Sequence, residues 1–156
     1  MKQWLTMGIE NIDKDKWIEV SNNSFNKPYG GLWACEYKPN NEFKSDWLEW
    51  CDNEMPNWTK NYGVVFELKD DTIIYTINTY EDLEKLYNKY PKESNLLGFS
   101  KLIDFEKASK DYDVIFLTNE GQWATRFGDI NLYGWDIECI LIMNFDYITN
   151  SKYIEF

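Results

Sequence analysis

Four residues around a Gly-Gly turn and a following tryptophan-rich segment have the types needed to hold a planar ligand. Gly31 would let the backbone approach a bound molecule closely, and Tyr29, Trp33 and Trp47 could stack on its ring. The alternative is that the glycines form a hairpin turn and the tryptophans fill the core. Composition alone favours this alternative, because large aromatic residues are usually buried.

Two carboxylates near the C-terminal end of the chain form a second candidate. Asp136 and Glu138 are two residues apart, so a strand would project both from one face. The apolar run that follows would raise the pKa of a carboxyl group buried against it. Such a pair could bind a sugar hydroxyl or stabilise a cationic transition state. The alternative is the start of a strand whose acids remain in solvent.

The third candidate is Arg126, which is the single arginine beside fifteen lysines. Its planar five-donor group suits a diphosphate or a buried carboxylate, and the sequence leaves ligand anchoring and internal ion pairing equally open. The preceding residues Glu120 and Gly121 predict a turn, with the amide of Gln122 at its rim.

The chain contains no histidine. This excludes Ser-His and Cys-His nucleophiles, an imidazole base and imidazole metal ligands. Cys35, Cys51 and Cys139 are far apart and include no Cys-x-x-Cys pair, so neither a disulfide framework nor a zinc site is expected. Phosphate-loop and dinucleotide-fold glycine patterns do not occur either. Acid–base chemistry would therefore depend on carboxylates, tyrosines or lysines.

The charge balance is strongly acidic, with 16 basic against 27 acidic residues and a net charge of −11. Direct nucleic-acid binding is not expected, because neutralising phosphates requires clustered cations. The surface could instead attract a basic protein partner, or serve solubility alone. The first residues do not resemble a signal peptide and no apolar run approaches a membrane span, so a cytoplasmic protein without membrane contact is expected.

The elements that must position these residues indicate one α+β domain over residues 1–156, with antiparallel sheets and a few short helices. Ser45 predicts a helix start, as do Thr79 with Asp82, while a third helix is predicted over residues 104–109. Alternating or β-branched segments predict strands at residues 3–9, 17–20, 32–35, 63–68, 72–77, 114–117, 123–127 and 138–144.

An ordered set of short motifs resembles phage and bacterial proteins related to the ADP-ribosyltransferase fold, a group that includes an anti-CRISPR enzyme. The motifs are KPYGGLW (27–33), DWLEWC (46–51), VVFEL (64–68), DDTIIYTI (70–77), TYEDLEKLYNKY (79–90), YDVIFL (112–117) and GWDIECILIMNFDYI (134–148). The resemblance implies a split antiparallel β-sheet core with NAD in the cleft between its halves.

The resemblance also implies roles for individual residues. Gly31 and Trp33 match the strand beside the nicotinamide pocket, and Cys35 stands where relatives often place a serine. Glu138 matches the late acid that contacts the nicotinamide ribose, and Asp136 stands where many relatives carry the residue that orients the acceptor. Tyr29, Trp33 and Trp47 would be candidates for stacking nicotinamide, and Arg126 would reach a phosphate.

The chain departs from the family at the start of its pattern. One branch places a histidine, and the other an arginine, on an early strand, whereas this chain has no histidine and its arginine comes late. Two hypotheses follow. The first is transfer of ADP-ribose from NAD to a host protein or nucleic acid. The second is a non-catalytic acidic inhibitor that binds a basic, nucleic-acid-binding surface of a host defence protein such as a CRISPR effector.

Overall fold

The computed structural model describes residues 2–92 and 101–156, which form strands, four α-helices and short 3₁₀ turns. The strands are β1 (Trp4–Met7), β2 (Leu32–Glu36), β3 (Tyr62–Leu68), β4 (Ile74–Ile77), β5 (Pro91–Lys92), β6 (Leu102–Ile103), β7 (Val114–Leu117), β8 (Cys139–Ile142) and β9 (Ile148–Glu155). The helices are α1 (Asp46–Glu54), α2 (Tyr80–Lys89), α3 (Phe105–Ala108) and α4 (Asn119–Ala124).

Seven strands form one sheet in the order β4-β7-β8-β2-β1-β3-β9, and β5 pairs with β6 in a separate ribbon. Only β4 and β7 run parallel; the remaining neighbours are antiparallel. The predicted α+β class with a mostly antiparallel sheet is therefore confirmed. None of the described helices combines the length and apolar character needed to cross a membrane.

The large sheet must curl. Leu68 ends β3 and Ile74 begins β4, yet five strand spacings separate these strands within the sheet. In a flat sheet that separation would be about 24 Å. The six Cα-to-Cα steps from Leu68 to Ile74 span at most about 22 Å. Consistent with curling, Leu68 belongs to the same apolar cluster as Val114 of β7 and Ile142 of β8.

Side chains alternate between the two faces of the sheet, as the twofold repeat of a strand requires. In β8, Ile140 and Ile142 join the cluster on one face, and Cys139 and Leu141 join the larger cluster on the other. The larger cluster includes Leu83 and Leu86 of α2 and Phe105 and Ala108 of α3, so these helices cover its face of the sheet.

Three predicted helices are confirmed, and each is capped by the residue that precedes it. Ser45 accepts a hydrogen bond from Leu48 N–H at the start of α1. Thr79 and Asp82 form a reciprocal capping box at the start of α2. Asp104 accepts from Lys107 N–H at the start of α3. Local side-chain hydrogen bonds therefore fix where these helices begin.

Two predicted strands are wrong. Residues 17–20 form a loop that follows a short 3₁₀ turn. The nearest β pairing is an isolated bridge between Ser21 and Tyr29. Residues 123–127 begin inside α4, whose cap is Thr118 accepting from Gly121 N–H. The predicted turn at Glu120 and Gly121 is therefore also wrong, because both residues lie in that helix.

Candidate functional site

A cavity of about 380 Å³ opens on the helix-bearing face of the sheet, between β1, β2 and the start of α1. We call it the tryptophan cavity. Its lining includes Trp33, Trp47 and Trp135 together with Gly31, Cys35 and Cys139. Four residues that the sequence suggested for ligand binding, Gly31, Trp33, Cys35 and Trp47, therefore lie around one space.

The cavity lies where the pairing between β1 and β2 stops. These strands pair only at Trp4 with Glu36 and Leu5 with Cys35. One residue further along β1, Thr6 Oγ1 donates to the main-chain oxygen of Trp33 at 2.9 Å. Beyond this point β1 continues to pair with β3, and the earlier part of β2 pairs with β8. The interruption leaves an opening within the sheet.

Trp33 and Trp135 form one wall of the cavity in a fixed edge-to-face arrangement. Their ring centroids are 4.6 Å apart and their planes are inclined at 83°. Trp135 Nε1 donates to the main-chain oxygen of Asn26 at 2.6 Å, so its polar edge is satisfied. Lys27 Nζ lies 5.5 Å from the Trp33 ring centroid. The wall is therefore aromatic, rigid and close to one cation.

Gly31 is required at the base of the cavity for two reasons. Its φ of +64° lies in the left-handed region, which side chains disfavour. A Cβ atom at this position would also lie 2.6 Å from the main-chain oxygen of Ile142. The Gly-Gly turn was predicted from the sequence. This contact with β8 explains why a larger residue in place of Gly31 would destabilise the fold.

Two buried thiols, Cys35 and Cys139, line the cavity. Cys35 follows Ala34, the last residue of β2 that pairs with β8, and itself pairs with Leu5 of β1; Cys139 begins β8. Burial raises the pKa of Cys35, and burial raises that of Cys139 to about 12. Both thiols are therefore neutral at pH 7, which disfavours a thiolate nucleophile. Among the described residues, no group of three acidic, cysteine or histidine side chains could hold a metal ion.

A second space of about 470 Å³ lies beside the cavity, between α1 and α4. We call it the acidic groove, because five carboxylates line it: Asp46, Glu49, Glu54, Asp136 and Glu138. Ile137 lines both spaces, and Trp47 of the cavity is adjacent in sequence to Asp46 of the groove. The aromatic and acidic regions therefore adjoin.

Glu138 is held in the groove by the first residue of α4. Its Oε2 atom accepts a hydrogen bond from Asn119 N–H at 2.7 Å. This N–H is one of the unpaired donors at the start of a helix, so it favours a negatively charged partner. The carboxylate is consequently oriented by the backbone. Its other oxygen accepts no hydrogen bond from the described residues.

Asp136 does not lie in a strand, contrary to the prediction. It ends a 3₁₀ turn with a φ of +62°, so the expected two-residue alternation with Glu138 does not apply. Both carboxylates nevertheless line the acidic groove. Burial raises the pKa of Asp136, and the positive charges of Lys27 and Arg126 oppose that shift.

Arg126 does not take the internal ion-pairing role among the described residues, and ligand anchoring, the other role that the sequence left open, stays a prediction. Its guanidinium carbon lies 5.2 Å from the ring centroid of Trp123 and 5.6 Å from that of Tyr133. It forms no salt bridge with a carboxylate in the described part of the chain. The side chain is therefore stacked between two aromatic rings at the edge of the groove.

Gln122 contributes a feature that the sequence did not reveal. The residue is only 4% exposed and lines the acidic groove. Its Nε2 donor has no hydrogen-bond partner among the described residues. A buried donor without a partner is uncommon and costs stability, so it marks a position where an acceptor from elsewhere would fit. The sequence cannot show that this donor is buried without a partner, because burial depends on the whole fold.

Seven of the eight residues suggested from the sequence line these two adjoining spaces. Tyr29 does not: it is 64% exposed and lines a third space of about 460 Å³, which shares Gly31, Leu32 and Trp33 with the tryptophan cavity. Gln122, whose amide the sequence placed at the rim of a predicted turn, also lines the acidic groove, while Trp135 and Trp123 were not suggested as ligand-binding residues and line the cavity and the groove. Comparison of the chain with protein-family models, with curated proteins and with solved structures gave no match.

Proposed function

We propose that the chain is an ADP-ribosyltransferase-like protein that binds NAD and transfers ADP-ribose to a host macromolecule. The observation that carries this proposal is the adjacency of the two spaces. An aromatic cavity adjoins a carboxylate, Glu138, that the Asn119 N–H holds in place. The split-sheet expectation is supported by the interrupted pairing between β1 and β2, which opens the cavity within the sheet.

In this proposal the tryptophan cavity receives the nicotinamide ring of NAD. Trp33 and Trp47 supply flat apolar surface, and the neutral thiols of Cys35 and Cys139 keep charge out of the cavity. Gly31 contributes main-chain atoms to the lining of the cavity. These residues bind and orient the ring while excluding water.

Glu138 acts on the ribose next to the leaving nicotinamide. As the bond between ribose and nicotinamide breaks, positive charge develops on the sugar, and a fixed carboxylate stabilises that charge. The hydrogen bond from Asn119 orients the carboxylate before the reaction begins. Asp136 is placed in the same groove to orient the acceptor, and Arg126 is the one guanidinium there that could contact a phosphate.

The test is the substitution Glu138→Gln, which keeps the size of the side chain and removes its charge. We expect release of nicotinamide from NAD to fall at least about 100-fold, because one preorganised electrostatic contact is typically worth that much in rate. Glu84→Gln is the matched control, since Glu84 lies exposed on α2. Circular dichroism would verify that both variants fold. Unchanged release by Glu138→Gln would remove the catalytic assignment.

A second candidate function is supported by the overall charge. At a net charge of −11, the chain could inhibit a host defence protein by covering a basic surface that binds nucleic acid. Such binding would need no NAD and would weaken with added salt. Intact-mass analysis of target proteins incubated with the chain and NAD separates the two. A gain of one ADP-ribose unit supports the enzyme, and salt-sensitive binding without a gain supports the inhibitor.

A further inference from the structure

Three large aromatic side chains are exposed together at the edge of the acidic groove. Trp123, Phe127 and Tyr133 are 67%, 75% and 55% exposed. Phe127 and Tyr133 have ring centroids 6.1 Å apart, and Arg126 is stacked between Tyr133 and Trp123. Grouped exposed aromatic residues favour protein contacts, because they offer large rigid surfaces that lose little entropy on binding. We call these three residues the aromatic rim.

Inside the rim, Gln122 offers a hydrogen-bond donor with no partner in the described chain. The residue is 4% exposed and lines the groove, and its Nε2 atom is buried. The group that would satisfy Nε2 is an acceptor, and a main-chain carbonyl of another protein is such a group. This observation is independent of the charges around it.

The charges that line the groove favour a positively charged ligand. Five carboxylates line it against the single guanidinium of Arg126. Only Asp46 has a close positive partner, Lys38 Nζ at 2.6 Å, among the described residues. Away from Arg126, the remaining negative potential would attract an ammonium or guanidinium group. Trp50 also lines the groove; one face of its ring stacks on Trp47, and a cation–π contact would use the other face.

We propose that the acidic groove is a docking site for a basic segment of a partner protein. A lysine or arginine side chain enters between α1 and α4 and lies beside Glu49 and Glu138. Gln122 Nε2 donates to a main-chain carbonyl of the same segment, and the aromatic rim packs against its apolar part. The site serves either candidate function, as the place that holds a protein acceptor or captures a target, and it does not require NAD.

The direct test follows the eight tryptophan indole N–H signals by ¹⁵N NMR while a peptide is added. The probe is acetyl-Gly-Arg-Gly-amide, and signals are assigned with Trp→Phe variants. We expect Trp50 and Trp123 to shift progressively, because both line the groove. Trp17 lines a different space and should not shift. Shifts of similar size at Trp17 would overturn the proposal. So would the absence of any shift at peptide concentrations up to the solubility limit of the peptide.

Substitutions test which groups carry the binding. Glu49→Gln should weaken peptide binding about two- to five-fold, the range for an exposed ion pair. Glu84→Gln on α2 removes the same charge elsewhere and should have no effect. Gln122→Leu should weaken binding while raising the melting temperature, since it removes an unpartnered buried donor. Equal effects of Glu49→Gln and Glu84→Gln would show that only net charge matters and would overturn the site.

Two further probes separate this proposal from its alternatives. Acetyl-Gly-Glu-Gly-amide should not shift the groove tryptophans, and neither should a short thymidine oligonucleotide. If either shifts Trp50 and Trp123 as strongly as the arginine peptide does, the assigned partner is wrong. Nicotinamide release is measured separately, so loss of docking and loss of NAD chemistry remain distinguishable.

Discussion

At the residue scale, the environments of Asp136 and Glu138 differ although both line one groove. Glu138 accepts a hydrogen bond from the backbone N–H of Asn119, which orients its carboxylate. Burial disfavours the charged form of Asp136 and raises its pKa despite the nearby positive charges of Lys27 and Arg126. Two carboxylates with different environments suit different tasks in one reaction. The tasks proposed above assign charge stabilisation to Glu138 and acceptor orientation to Asp136.

The raised pKa of Asp136 predicts a pH-dependent effect on stability. Its folded pKa lies above its unfolded pKa, so ionisation at neutral pH opposes folding. Asp136→Asn should therefore raise the free energy of unfolding at pH 7. The gain should disappear as the pH falls through the folded pKa, because the wild-type carboxyl group is then neutral as well.

Urea unfolding at several pH values would measure the effect of Asp136→Asn. Glu155→Gln on β9 provides a comparison at an exposed position. A loss of stability in Asp136→Asn at pH 7 would contradict the prediction. It would mean that attraction to Lys27 and Arg126 outweighs the cost of burial.

At the scale of elements, α4 connects the sheet to the acidic groove. Thr118 caps the helix and donates through N–H and Oγ1 to the main-chain oxygen of Ile77, the last residue of β4. The first helical N–H, from Asn119, then holds Glu138. Gln122 and Trp123 project from the same short helix to the groove. The position of α4 against β4 therefore sets the geometry of the site.

Gly121 allows α4 to lie close to β4. Substituting alanine, which normally stabilises a helix, should therefore destabilise the protein here. A Cβ atom at this position would lie 2.0 Å from the main-chain oxygen of Ile77. Gly121→Ala should destabilise the protein by about 2 kcal/mol or more, because steric overlap exceeds the ~1 kcal/mol that alanine gains in a helix. Ala124→Gly in the same helix is the matched control and should cost about 1 kcal/mol.

Thermal unfolding would compare Gly121→Ala with Ala124→Gly. Gly121→Ala should also slow nicotinamide release in the proposed enzyme, since it displaces the Asn119 N–H that holds Glu138. A stabilised Gly121→Ala protein would show that α4 can move away from β4 at little cost.

The sequence predicted the elements that local interactions determine. Helix α2 is the clearest case: its capping box, Thr79 and Asp82, and its apolar positions, Leu83 and Leu86, are all visible in the sequence. The same local rules failed at α4, because a glycine at position 121 signalled a turn while the contact with Ile77 needed one inside a helix. The Thr118 cap was the one local sign of this helix.

The remaining errors and omissions depend on contacts between distant parts of the chain. The sequence grouped Trp33 and Trp47 by residue type and by resemblance, but no local pattern shows that they line one cavity. No local pattern shows either that Gln122 and Glu49 line the same groove. The parallel pairing of β4 with β7 was equally invisible, since these strands are separated by α2 and further residues. Strand order and burial arise from the whole fold, and they decide both the sheet and the site.

At the scale of the whole molecule, the three cysteines report on the integrity of the fold. Cys35, Cys51 and Cys139 lie on β2, α1 and β8, and each is at most 5% exposed. Burial raises the pKa of all three thiols. Their reaction with a thiol reagent therefore requires opening of the protein as well as ionisation.

We expect Ellman's reagent to modify the native protein at least about 100-fold more slowly than the urea-unfolded protein, in which all three thiols should react. Absorbance of the released chromophore measures both rates. Cys→Ser variants made one at a time would identify any thiol that reacts early. Rapid reaction of a single thiol in the native protein would contradict the prediction and locate a weakly held element.

The position of β3 between β1 and β9 also has a consequence during protein synthesis. β1 precedes β3 in the chain, but β9 begins 80 residues after β3 ends, from Leu68 to Ile148. At about 5–20 residues per second, the ribosome needs roughly 4–16 s to make that stretch. Throughout this interval one edge of β3, with its run Val64, Val65 and Phe66, has no final partner. The speed of translation between these strands would therefore influence how much of the newly made chain mispairs.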